Sequence, residues 1–63
     1  MCLSTVYREK LSPDNIIMKN VQTIECKGSS IILTDLMDRQ IVLKGELVKA
    51  SLTEGFALVS ENS

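Results

Sequence analysis

The two cysteines are the residues of this chain best suited to chemistry, and the first of them follows Met1 directly. Cys2 sets a thiolate beside the terminal amine and the first backbone amide. Nitrogen and sulfur donors of this kind suit a soft or borderline metal such as nickel or copper. The plainer interpretation is that Cys2 is a small hydrophobic residue at the start of a strand, as most free cysteines are. Residue types alone leave both interpretations open.

The part played by Met1 depends on whether it is retained in the cell. If it is retained, the chelate consists of the Met1 amine, the Cys2 amide and the Cys2 thiolate. If it is excised, Cys2 supplies both the amine and the thiolate. Under the metal interpretation Cys2 is therefore a ligand in either case, and Met1 is a ligand through its terminal amine only when it is retained.

Cys26 is the second thiol, and it has the same strand phase as Ile24. That phase predicts burial in the core, since free cysteines are among the most buried residue types. If the first and third predicted strands are neighbours, Cys26 instead approaches Cys2, as a disulfide partner or as a second ligand of one metal. A disulfide is disfavoured because the chain shows no signal peptide and cytoplasmic thiols are kept reduced.

The charged side chains do not indicate a second site. Asp35 and Asp38 flank a predicted turn, and they are best explained as solvated turn residues, with Asp35 accepting hydrogen bonds from the turn amides. The seven basic residues are dispersed among eight acidic ones, as on an ordinary soluble surface. The sequence contains no phosphate loop, no Cys-x-x-Cys pair and no nucleophile triad.

The composition opposes two classes of function. The net charge is −1, and Tyr7 and Phe56 are the only aromatic residues, so nucleic-acid binding by phosphate neutralisation or base stacking is disfavoured. The chain has no histidine, which is the commonest general base and the commonest metal ligand. We therefore expect a protein that is not an enzyme. Any metal must be held by thiolates, carboxylates, thioethers or backbone nitrogen.

The length limits how the chain is stabilised. Sixty-three residues form one small domain. A chain of this size buries only about 60% of its unfolded surface, so its core is marginal without disulfides, metals or oligomerisation. No apolar run approaches the ~18 residues needed to span a membrane. We expect a cytoplasmic protein with no membrane association, and a homodimer as the default source of extra stability.

The spacing of apolar residues predicts an all-β fold. Short β-branched segments alternate with turn signals, among them Pro13, Gly28 and Gly55. The predicted strands cover residues 2–8 or 2–9, 16–18, 21–26, 31–36, 40–44, 47–52 and 56–59. We predict a single domain over residues 1–63, a small barrel or meander of six to seven short antiparallel strands, in which residues 60–63 form a polar tail that frays.

Two positions interrupt the alternation, and the other apolar residues define the core. A phase mismatch at Val21 indicates a bulge near Asn20 or Val21, or a frayed start of the strand, and Gly45 provides a bulge or a corner between two predicted strands. The predicted core residues share the inward phase. They are Leu3 or Val6, Ile17, Ile24, Ile31, Leu33, Leu36, Ile41, Leu43, Val48, Leu52, Phe56 and Leu58.

Two motifs stand out once the strands are placed. They are the start Met-Cys-Leu-Ser-Thr-Val-Tyr at residues 1–7 and the segment Ile-Leu-Thr-Asp-Leu at residues 32–36. With these motifs the chain resembles the CooT-type family of small nickel-binding proteins over nearly its whole length. The family commonly has a glycine soon after Thr-Asp-Leu, where this chain has Met37, Asp38 and Arg39, and we expect a different type of turn here. Hydrogenase maturation chaperones of the HypC type also begin Met-Cys, but they are longer and place a proline soon after the cysteine.

The resemblance implies a structure and a function. Members of the family are linked to the maturation of carbon monoxide dehydrogenase. The resemblance implies a small SH3-like barrel, a homodimer, and one Ni(II) per dimer held at the two N-termini through Cys2. Two thiolates and two nitrogens at a two-fold axis suit the tetragonal geometry that Ni(II) favours. The expected function is a nickel metallochaperone or nickel store that serves a client metalloenzyme.

Two other functions stay open on the sequence alone. Relatives often carry the label "predicted RNA-binding protein", so a nucleic-acid-binding small barrel is one alternative, although the charge and the few aromatics oppose it. The other is a plain oligomerisation or adaptor domain in which Cys2 only packs. A metal response that depends on Cys2 would separate the leading hypothesis from both.

Overall fold

Five β-strands and a single-turn 3₁₀ helix make up the regular structure of residues 3–62, which are the residues that the computed structural model describes. The helix spans Pro13–Asn15. The strands are β1 (Ser4–Arg8), β2 (Ile16–Lys27), β3 (Ser30–Asp35), β4 (Gln40–Ser51) and β5 (Phe56–Glu61). The prediction of an all-β fold is confirmed.

The strands close into a barrel in the order β1-β2-β3-β4-β5. Consecutive strands are antiparallel, as predicted. The closing pair is different, because β1 and β5 run parallel from the pair Thr5 and Phe56 to the pair Arg8 and Val59. Closure covers sheet edges that would otherwise be free to pair with other chains.

The predicted strand number of six to seven is wrong for the described part of the chain, because two pairs of predicted strands are continuous. β2 joins residues 16–18 to 21–26, and Asn20, with φ of +57°, marks the predicted bulge between them. β4 joins residues 40–44 to 47–52 through Gly45. The first half of each long strand pairs with one neighbour and the second half with the other. Positions that were expected to end a strand bend it instead.

Gly45 is required by the close approach of β4 to β5. It pairs with Glu61, and its amide donates to the carbonyl of Ser29 at 2.8 Å. A Cβ at this position would lie 2.9 Å from the Cα of Glu61 and would overlap the carbonyl oxygen of Ser60. Only glycine fits there without a shift of the β5 backbone.

The core is formed by inward-facing apolar residues from all five strands. Those buried among residues 3–62 are Val6, Val21, Ile31, Leu33, Leu43, Ala57 and Val59. Ile17, Met18, Ile24 and Ile41 pack against this cluster while partly buried. The predictions for Ile31, Leu33 and Leu43 are confirmed, and of the two alternatives near the chain start it is Val6 that is buried.

Three predicted core residues, Leu36, Val48 and Leu52, are exposed. Leu36 follows the end of β3, and Leu52 lies in the turn between β4 and β5. Val48 lies at a register shift between Leu47 and Lys49, so it is the extra residue of a bulge. The prediction placed these side chains in the core because strict alternation does not allow for the turns and the bulge.

The inward face of β5 is the opposite of the predicted one. Ala57 and Val59 are buried, whereas Phe56 and Leu58 are only half-buried. Because four successive residues of β5 are apolar, alternation cannot indicate which pair faces the core.

The last strand also extends further than predicted. Ser60 and Glu61, expected to begin a fraying tail, pair with Glu46 and Gly45. Glu61 forms an ion pair with Arg8 of β1 as well. Backbone pairing rather than apolar burial holds this end, so hydropathy gave no sign of it.

Candidate functional site

The predicted metal ligands, Met1 and Cys2, lie outside the described residues, and the strand that follows them is firmly held. β1 begins at Ser4. The next amide, that of Thr5, donates to the carbonyl of Gly55 at 3.0 Å. Gly55 has φ of +76°, a conformation that glycine adopts without steric cost. The start of β1 is thus attached to the turn before β5, as well as to its neighbours in the sheet.

An apolar groove of about 470 Å³ opens beside the first residue of β1. Its lining residues are Ser4, Val21, Gln22, Ile24, Leu47, Ala50 and Leu52. Val21 is buried, whereas Leu47 and Leu52 are 40% and 81% exposed. Exposed leucines around a concave surface are typical of a site that binds an apolar partner. We refer to this surface as the apolar groove.

The apolar groove is a continuation of the core that opens to solvent. Ile24 pairs with the buried Leu33, and Ala50 pairs with the buried Ala57, so these cross-strand neighbours share the inner face of the sheet. The β2 residues of the groove, Val21, Gln22 and Ile24, follow the positive-φ residue Asn20, and the bulge in β4 lies between Leu47 and Ala50. The positions that interrupt the alternation of the sequence therefore adjoin the groove.

Cys26 is exposed, so the prediction that it is buried in the core is wrong. Its predicted phase is right, because it pairs with the buried Ile31 and lies on the same face of the β2–β3 hairpin. It lies close to the turn at Gly28, however, where that face is no longer covered. Cys26 forms no disulfide with a described residue, and its predicted approach to Cys2 lies outside residues 3–62.

A second groove, also of about 470 Å³, lies at the end of β3. We refer to it as the polar groove. Its apolar lining residues are Ile17, Met18 and Ile41, and its polar and charged lining residues are Lys19, Asn20, Asp35, Arg39 and Gln40.

Asp35 organises the polar groove. Although it carries a carboxylate, it is only 2% exposed. Its Oδ1 accepts hydrogen bonds from the amides of Met37 and Arg39 at 2.9 Å each, and its Oδ2 accepts one from Arg39 Nε at 2.8 Å. The expectation that Asp35 binds turn amides is confirmed, and the expectation that it is solvated is wrong. Three donors replace the water that the carboxylate loses on burial.

These contacts keep the carboxylate charged. Burial alone raises the pKa of Asp35, but the amide hydrogen bonds from Arg39 and Met37 and the guanidinium of Arg39 outweigh burial and hold the pKa below its ordinary value. Asp38 is exposed on the turn, with φ of +63°, and its amide donates to the Asp35 carbonyl at 3.0 Å. The two aspartates therefore have separate roles in the turn, and they do not act as a carboxylate pair.

Residues 3–62 contain neither a cluster of metal-ligating side chains nor a membrane-spanning helix. No group of three or more histidine, cysteine, aspartate or glutamate side chains is arranged there to hold a metal ion. No helix in that range is long and apolar enough to cross a membrane.

The fold and the chain start define a small β-barrel protein that begins Met-Cys. The model of the CooT family, described as a CO dehydrogenase accessory protein, matches residues 1–59. The match includes Met1 and Cys2 and covers 59 of the 63 residues, so the chain belongs to the CooT family. The family resemblance drawn from the two motifs is confirmed. A search of the curated proteins found no match.

Sequence reasoning did not identify the residues that give the two grooves their character. Lys19 and Arg39 were counted among dispersed basic residues, yet both line the polar groove. Leu47 was not singled out, yet it lines the apolar groove. The sequence did contain a signal for the polar groove, since an aspartate that binds turn amides two and four residues later is a known turn arrangement.

Proposed function

We propose that the protein is a nickel-binding homodimer that acts in the cytoplasm as a metallochaperone or nickel store for the maturation of CO dehydrogenase, and that it is not itself an enzyme. The observation that carries the proposal is the family match over residues 1–59, because it includes Cys2. Nickel is the cargo. Its ligands are the Cys2 thiolate and a nitrogen from the chain start, which is the Met1 amine when Met1 is retained.

The donor set explains why two chains are needed. Ni(II) with nitrogen and sulfur donors favours a square or tetragonal arrangement of four ligands. One chain offers a single thiolate at its start, and the sequence has no histidine to complete the set. Two chains related by a two-fold axis supply two Cys2 thiolates and two nitrogens, which gives one nickel per dimer.

The apolar groove supports the dimer. Ser4, at its edge, is the second residue after Cys2, so two chains that cover each other's grooves would bring both chain starts to one interface. A standard interface buries about 800 Å² per partner. The surface of the described chain is 4401 Å², so such an interface would cover roughly a fifth of it. Burial of Leu47 and Leu52 would also supply stability that so small a core lacks.

The proposal is tested by titrating Ni(II) into the wild type and the Cys2→Ala variant, followed by absorbance and native mass spectrometry. We expect a thiolate-to-nickel charge-transfer band, one nickel per two chains, and loss of both in Cys2→Ala. Cys26→Ala is the matched control, because Cys26 is an exposed thiol elsewhere in the barrel, and it should bind nickel as the wild type does. The masses also show whether Met1 is retained.

The pH dependence gives a second readout of the same ligands. Thiol and terminal amine groups have ordinary pKa values near 8, and protons compete with the metal for both. Nickel affinity should therefore be weaker at about pH 6 than at about pH 8. Equal affinity at both values, or equal binding by Cys2→Ala, would contradict ligation by the Cys2 thiolate.

A further inference from the structure

The polar groove carries a positive charge that the fold itself does not use. Arg39 donates a hydrogen bond from Nε to Asp35, and within residues 3–62 its two terminal nitrogens have no hydrogen-bond partner. Its side chain is 75% exposed in spite of the ion pair. Lys19 lines the same groove and forms no ion pair within that range. Since Asp35 balances one of the two cations, the groove has a net charge of about +1.

The guanidinium is held in place before any ligand binds. Asp35 is fixed by two turn amides and in turn fixes Arg39 Nε at 2.8 Å. The planar end of the guanidinium therefore presents two donors in a set direction, an arrangement that matches the two oxygens of a carboxylate. Ordering the side chain in advance lowers the entropy cost of binding.

The remaining walls indicate what accompanies the carboxylate. Ile17, Met18 and Ile41 provide apolar surface beside the two cations, and Asp35, whose oxygens already have donors, is the groove's acidic residue. A single excess positive charge fits a monovalent carboxylate better than a phosphate dianion. Apolar walls also favour a ligand with aliphatic groups, which inorganic phosphate lacks.

We propose that the polar groove docks an acidic segment of a partner protein, with a glutamate or aspartate carboxylate on Arg39 and Lys19 and a neighbouring aliphatic side chain against Ile17, Met18 and Ile41. This interaction does not involve the chain start or the apolar groove. This proposal can therefore be tested independently of nickel binding.

The test is an NMR titration of the ¹⁵N-labelled protein with the capped tripeptide acetyl-Leu-Glu-Leu-amide, and with its neutral analogue in which glutamine replaces glutamate. The amides of Lys19, Arg39 and Gln40 report on the groove. We expect saturable shifts at these positions, with half-saturation at millimolar peptide. The neutral peptide should bind at least about tenfold more weakly, since it lacks the charge-assisted hydrogen bonds.

Variants locate the binding within the groove. Lys19→Gln removes a side chain that has no ion pair in the fold, so it should weaken binding several-fold and leave the structure intact. Arg39→Gln should weaken it more, by about tenfold. Lys44→Gln is the matched control, because Lys44 is an exposed lysine outside the groove, and it should leave binding unchanged.

Three results would overturn the assignment. They are equal binding of the charged and neutral peptides, unchanged affinity in Lys19→Gln and Arg39→Gln, and tighter binding of inorganic phosphate than of the acidic peptide. The last would show a site for free anions in place of a protein-docking surface. Nickel stoichiometry should be the same in all three lysine and arginine variants.

Discussion

The two grooves have similar volumes, about 470 Å³ each, and both have apolar walls, but they differ in charge. The apolar groove is a break in the core, and its exposed rim consists of leucines that no described residue covers. The polar groove is built around a buried carboxylate and presents a fixed guanidinium. Two grooves of similar volume can therefore bind different kinds of partner. Binding at the apolar groove gains free energy by excluding water, which suits a permanent partner such as a second copy of the chain. Binding at the polar groove depends on the charge of the ligand.

The most damaging change to this arrangement should be Gly45→Ala, because β4 lines both grooves and Gly45 lies between the two lining segments. The added methyl group would force the β5 backbone away from β4. We expect a loss of about 3 kcal/mol or more of unfolding free energy, measured by urea denaturation. Gly28→Ala is the control, because φ is +57° there but the space around it is open, and it should cost only about 1 kcal/mol. Similar costs for the two variants would contradict the close approach at Gly45.

Leu47→Asp should separate the two grooves by disabling only the apolar one. A carboxylate on the groove rim would lose its water in the dimer without gaining a partner. We expect the dimer dissociation constant to rise by about 30-fold or more, because the interface would contain an unpaired charge. Analytical ultracentrifugation measures this change.

Val42→Asp is the matched control for Leu47→Asp, since Val42 is 64% exposed and lies outside both grooves. It should leave the association state unchanged. If Leu47→Asp associates as the wild type does, the apolar groove is not the dimer surface. Peptide binding at the polar groove should be normal in both variants.

Asp35→Asn should disable the polar groove. The substitution removes the charge that holds the Arg39 guanidinium and leaves one of the Asp35 contacts mismatched, so the melting temperature should fall by several degrees. Its pH dependence gives a further test. Because the pKa of Asp35 in the folded state lies below the ordinary 3.8, its stabilising effect is present above that value and is lost as pH falls through the lower, folded-state pKa.

The difference in stability between wild type and Asp35→Asn should therefore be constant at neutral pH and should shrink in acid. Nickel binding should change between about pH 6 and pH 8 in both proteins, since it depends on the thiol and the amine. Asp38→Asn, a change to an exposed residue of the same turn, is the control. A constant difference down to about pH 2 would show that the Asp35 charge is not what stabilises the turn.

Asp38→Gly should give the smallest effect, a gain of about 1 kcal/mol in unfolding free energy. Asp38 has φ of +63°, a left-handed conformation that costs residues with a Cβ and suits glycine. Asp38→Ala should destabilise by a similar amount. Thermal unfolding of the wild type, Asp38→Gly and Asp38→Ala gives the order of their stabilities. A loss of stability in Asp38→Gly would mean that the aspartate side chain stabilises the fold by more than its backbone strain costs.

The class of fold was predictable because it rests on local patterns. Turn signals at Gly28 and Gly55 coincide with positive φ values, and of the two explanations for the mismatch at Val21, a bulge or a frayed start, the bulge is right. The strand number was not predictable from the same patterns. Asn20 and Gly45 interrupt the alternation in the way that a turn does, and only the pairing of each long strand with two neighbours shows that the chain continues through them.

The candidate sites also differ in how far the sequence predicts them. Family motifs led directly to Cys2, and the ligand assignment stays a prediction because Cys2 lies outside the described residues. The polar groove was not predictable, since Lys19 and Arg39 are far apart in sequence and line one groove only because β2 passes the turn between β3 and β4. Asp35 shows why burial of a charged residue escapes such reasoning, because its three donors come from the turn geometry and not from any run of residues.

The parallel pairing of β1 with β5 has a consequence for how the protein is made. These strands come from opposite ends of the described chain, so the contact that closes the barrel is also the one most distant in sequence. Contacts of this kind form slowly, because the loop between them must be ordered first. On the ribosome, where the N-terminal end emerges first, β1 has only β2 as a partner until the last strand follows. The segment next to the predicted nickel ligands is therefore among the first to be synthesised and the last to be enclosed.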